Sequence, residues 1–62
     1  MHNPDTIRAR LQQVEHSLAV MHQYLLVRLA ANDWHGVMDA SADIREMLAE
    51  QRALKWVLEM EP

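Results

Sequence analysis

Apolar residues recur along this chain at alternating spacings of three and four. Ile7, Leu11, Val14, Leu18, Met21 and Leu25 form one series. Val37, Ala40, Ile44, Met47, Leu54 and Leu58 form a second, interrupted by Gln51. Such spacing returns to one face of a helix every turn and, over several heptads, makes a coiled-coil seam. The two series predict helices over residues 4–31 and 34–59, joined by a turn at 32–33. Helix-start signals agree with the first boundary. Asn3 is a good N-cap, Pro4 suits the first helical position, and Asp5 complements the positive end of the helix dipole.

The break between the series is Asn32-Asp33-Trp34-His35-Gly36. Asn32 tolerates the left-handed conformation that commonly ends a helix. Asp33 suits the N-cap of the second helix, with Trp34 its first residue. A two-residue link forces the helices into an antiparallel hairpin. The register then sets Val37 near Leu29, Ile44 near Met21 or His22, Met47 or Leu48 near Leu18, and Leu58 near Ile7. Gly36 is either a tolerated small residue or a point of close approach for the other helix or a neighbouring subunit. Arg8, Arg10, Gln12, Gln13, Glu15 and Ser17 fall off the seam and are expected in solvent.

The far half of the first helix departs from a simple stripe. Ala19, Val20, Leu26, Val27, Leu29, Ala30 and Ala31 add apolar surface away from the seam. A helix apolar on more than one face is buried on more than one face. One face goes to the second helix, and the other calls for a partner chain. Leu48, Trp56 and Val57 add a second apolar strip on the other helix. The fold class expected is therefore all-α: an antiparallel two-helix hairpin that dimerises into a four-helix bundle, or joins a higher ring.

Composition strengthens that expectation. The chain has 62 residues, half of them hydrophobic, and no cysteine. A single domain this small buries only about 60% of its unfolded surface and commonly leans on disulfides, metal or oligomerisation. Without cysteine, disulfides and thiolate metal sites are excluded. The net charge of -3 and the lack of any Lys/Arg run point away from nucleic acid polymers. The most apolar run, residues 25–31, is too short to span a bilayer and contains Arg28. The N-terminal residues lack the charged and apolar regions of a signal peptide. Pro62, like Pro4, sits where it cannot break a helix. A cytoplasmic protein that does not enter membranes is the expectation.

Candidate chemistry is sparse. His35, Asp39 and Asp43 repeat every four residues, with Glu46 three further on, in one stripe that a metal could use. Neither helix has the Glu-x-x-His pattern of bundle di-metal sites, so solvated or ion-paired carboxylates are the preferred reading and no metal or other cofactor is assigned. Ser17 and Ser41 are isolated, and one glycine cannot build a phosphate loop. No catalytic residue is assigned, and the chain is read as non-enzymatic. Tyr24, Trp34 and Trp56 suit core or subunit contacts, and aromatics also anchor protein interfaces. Arg28 continues the Ile7, Val14, Met21 series toward the seam. It either pairs with Asp33 or Asp39 and extends its stem outward, or serves as a basic group at a subunit junction. Arg45 either pairs with a carboxylate on a neighbouring helix or faces a ligand.

Residues 32–46, Asn-Asp-Trp-His-Gly-Val-Met-Asp-Ala-Ser-Ala-Asp-Ile-Arg-Glu, resemble a segment of short phage and prophage helical-hairpin proteins. That resemblance covers about a quarter of the chain and implies a setting, a small viral accessory protein, with no residue roles attached. Proteins of that kind bind a host protein or sequester a host signalling molecule. The function expected first is thus a small oligomeric binding protein that modulates a host protein, with Trp34 and Trp56 as contacts. The alternatives are an oligomer that sequesters an anionic signalling nucleotide between subunits, using Tyr24, Arg28, His35 and Arg45, and a structural assembly subunit.

Overall fold

The computed structural model describes residues 3–60; Met1, His2, Glu61 and Pro62 lie outside them, and with them the start of the N-terminal segment and the placement of Pro62. Two helices, α1 (Pro4–Ala30) and α2 (Trp34–Met60), make up the described chain. α1 begins as its capping residues dictate: the Asn3 side-chain oxygen accepts from the Asp5 backbone N–H at 2.8 Å.

The turn is a Schellman ending built on asparagine. Ala31 is the C-cap, and Asn32 follows with φ of 57°, in the left-handed region. The Asn32 N–H donates to Leu29 O at 3.1 Å and the Asp33 N–H to Arg28 O at 2.9 Å. Those two bonds satisfy carbonyls that the end of a helix leaves open. Asp33 then caps α2, its Oδ1 accepting the Gly36 N–H at 3.0 Å. α1 stops one residue short of the boundary read from the pattern and α2 runs one residue past it, because apolar spacing locates a helix and its caps locate the end.

The seam holds the core. Ile7, Val14 and Leu18 of α1 and Ala40 and Ile44 of α2 are buried, with Met21, Leu25, Met47 and Leu54 partly buried around them. Small residues lie nearest the turn on α2, where Gly36 and Ala40 are both buried. The hairpin measures 47 × 14 × 14 Å. Its radius of gyration is 14.3 Å, against about 10.6 Å for a compact domain of this length. No large side chain among the described residues is fully buried. Two antiparallel helices cover each other along one line only, so the flanks of both stay in solvent.

Candidate interaction surface

The two halves of the hairpin differ most along α1. The half away from the turn is clamped by polar contacts between helices. Arg10 meets Glu50 with Nε at 2.6 Å and Nη2 at 2.9 Å from its two carboxylate oxygens. Gln51 donates to Glu15 at 3.1 Å, and the Lys55 ammonium lies 4.0 Å from the same carboxylate. The Arg10 hydrogen bond, more than its charge, holds the Glu50 carboxyl below its ordinary range. Arg10 and Glu15 were read from sequence as simply solvated. They flank the seam, where long polar side chains reach across to the other helix, as at the e and g positions of a coiled coil. Gln51, the gap in the apolar series, is a member of this clamp.

The half nearer the turn exposes apolar side chains instead. Val20, Tyr24, Leu26, Val27, Leu29, Trp34 and Met38 are all exposed. Only Leu48, Trp56 and Met60 join them among the exposed large hydrophobics elsewhere in the described chain. Val20, Tyr24 and Val27 are spaced by four and three on one flank of α1; Leu26 and Leu29 occupy another. Between residues 17 and 31, α1 carries one formally charged side chain, Arg28. Trp34 at the turn is 60% exposed and Trp56, near the other end, 62%.

Two of the sequence-assigned residues, Tyr24 and Arg28, lie together. The Arg28 Nη1 lies 3.2 Å from Asp33 Oδ2, and its guanidinium carbon 5.6 Å from the centre of the Tyr24 ring. The Arg28 Nε is buried and donates to no protein atom. The Asp33 carboxyl is held below its ordinary value by the Gly36 N–H and then by Arg28. One carboxylate thus caps α2 with one oxygen and anchors Arg28 with the other. Gly36 makes the arrangement possible: a Cβ there would fall 2.6 Å from Asp33 Oδ2 and 2.8 Å from Arg28 Cδ. This glycine makes room for two side chains at the turn, Asp33 and, reaching over from α1, Arg28; the second is close approach of the other helix, made by a side chain rather than the backbone.

The other assigned residues stand apart. His35 Nε2 is 3.4 Å from Asp39, an exposed pair of the i, i+4 kind. Arg45 is exposed in mid-helix, and Trp56 lies far from the turn. No group of three His, Asp or Glu side chains among the described residues is arranged to hold a metal ion. A groove of about 380 Å³ near the chain ends is lined by Thr6, Ile7, Arg10, Leu54 and Val57. No described helix is long and apolar enough to cross a membrane. Compared with known proteins, the chain matches no family model, no curated relative and no solved structure.

Proposed function

We propose that this chain is a non-enzymatic binding protein that works as an oligomer, with two hairpins closing into a four-helix bundle. The observation that carries the proposal is the run of exposed apolar side chains from Val20 to Met38. Single exposed hydrophobics are ordinary, but seven large ones between Val20 and Met38, on two flanks of α1 and about the turn, mark contact surface. Trp56, exposed at the opposite end, supplies a second aromatic anchor of the type enriched at protein interfaces. The resemblance of residues 32–46 to phage hairpin proteins adds the setting: an accessory protein that binds a host protein in the cytoplasm. Capture from host lysate on the immobilised chain tests this. A partner retained by the native chain and lost with Trp56→Ala or Trp34→Ala supports it. A set of captured proteins indifferent to both substitutions counts against it.

A second reading has one observation in its favour. The Arg28 side chain stays partly exposed and its guanidinium lies over the Tyr24 ring, a combination that suits an anionic nucleotide at a subunit junction. Asp33 already holds the same guanidinium, so a phosphate would have to share it with a carboxylate, which places this reading second. A thermal-shift series with nucleotides separates the two: stabilisation that disappears in Arg28→Ala would promote it above the first.

A further inference from the structure

We infer that the first partner of the apolar half is the apolar half of a second copy, so that the two hairpins associate turn-half on turn-half and leave their clamped halves uncovered. The inference rests on the oligomeric reading above and specifies how the subunits meet. Surface area is the first argument. The chain exposes 4896 Å², whereas a compact monomer of 7.2 kDa exposes about 4100 Å². The excess, ~800 Å², is close to what one partner contributes to an interface of standard size. One further copy of the chain is enough to cover it.

The distribution of charge decides which halves meet. Among the described residues, every hydrogen bond and ion pair between the flanks of α1 and α2, namely Arg10 with Glu50, Gln51 with Glu15 and Lys55 with Glu15, lies in the clamped half. A full antiparallel overlap, with turns at opposite ends, would lay Leu26, Val27 and Trp34 of one copy on that belt in the other. Burying carboxylates and guanidinium groups against apolar side chains is costly unless each charge keeps its partners. A two-fold contact uses the same patch on both subunits, so it is satisfied when the patch is complementary to itself. The α1 side of the turn half, with Arg28 its one charged residue between 17 and 31, is complementary to itself; the α2 side, with Asp39, Asp43, Arg45 and Glu46, is not, so α1 makes the contact. A surface half apolar and half charged is not complementary when reversed end to end. The axis therefore passes through the turn half.

Spin labels placed near the turn read this directly, because the chain has no cysteine of its own. His35→Cys and Asp39→Cys are two independent sites, both exposed and joined only by a surface ion pair that contributes little to folding. Residues 17–31 span about 22 Å at ~1.5 Å per residue. Contact of turn half with turn half keeps the two labels of a dimer within about 30 Å, for either direction of overlap. Full overlap with turns at opposite ends separates the His35 labels by about 44 Å and the Asp39 labels by about 32 Å, the 47 Å length of the hairpin less ~1.5 Å at each end for every residue between label and Trp34. A His35 label pair at the longer distance overturns this inference while leaving the oligomer standing. A folded chain with no label–label coupling at all overturns the oligomeric reading itself, and this inference with it.

Discussion

Truncating Ile44 removes the α2 side chain at the centre of the seam. Ile44 is 7% exposed and packs in one cluster with Val14 and Leu18, flanked by Met21 and Met47. Ile44→Ala deletes three carbons, worth ~2.5 kcal/mol at about 0.8 kcal/mol for each buried methylene. A cavity adds to that where neighbours cannot collapse, giving about 2–5 kcal/mol for such truncations. This core is open along both flanks, so methionine side chains and water reach the vacated space and the cost stays near ~2.5–3 kcal/mol. A domain of this length is stabilised by roughly 3–9 kcal/mol, so the variant is close to unfolding. The melting temperature falls by about 10–20 °C. Urea unfolding followed by far-UV circular dichroism, at one fixed chain concentration, measures the change. Gln12→Ala, on an exposed site of α1, is the control and moves stability by less than ~0.5 kcal/mol. A loss for Ile44→Ala below ~1 kcal/mol, or equal to the control, refutes the seam as the source of stability.

Three further outcomes follow from the turn and the clamp. Asn32→Ala, at a φ of 57°, costs about 1 kcal/mol because a Cβ is crowded in the left-handed region, whereas Asn32→Gly loses nothing; chemical denaturation of the two variants gives the comparison. Gly36→Ala ordinarily stabilises a helix by ~0.5–1 kcal/mol, yet here the melting temperature drops, since the new methyl group displaces Asp33 and Arg28. The carboxyls of Asp33 and Glu50 are both held below their ordinary values of 3.8 and 4.5. Unfolding lets them bind protons more readily, so their contribution is complete above those values and is lost as pH falls through the depressed ones. Melting temperature is therefore flat near neutrality and declines with acid below about pH 4, less steeply in Glu50→Gln; an equal decline in that variant contradicts the clamp.

Much of the fold was legible because it is local. The three-and-four spacing, Asn3 ahead of Pro4, and Asn32 followed by Asp33 each act within one turn of chain, so residue order carries them. The register followed from a short link. The cross-helix clamp was not legible in the same way. Arg10 and Glu50 are forty positions apart, and a polar residue beside a seam looks the same whether it meets solvent or the other helix. Gly36 was only half legible for a related reason: its role depends on where the Arg28 and Asp33 side chains fold back. The apolar excess in residues 17–31 was visible from the start, because one neighbouring helix cannot cover more than one face of another.

Sedimentation equilibrium of the intact chain across a range of micromolar concentrations weighs association of the hairpins against a lone monomer. The expected mass is at least twice 7.2 kDa, shifting toward monomer on replacing Leu26, Val27 and Leu29 by polar residues while the helices remain. A folded native chain that sediments as a monomer throughout that range contradicts it, and leaves the exposed surface from Val20 to Met38 without the partner on which the proposed function depends.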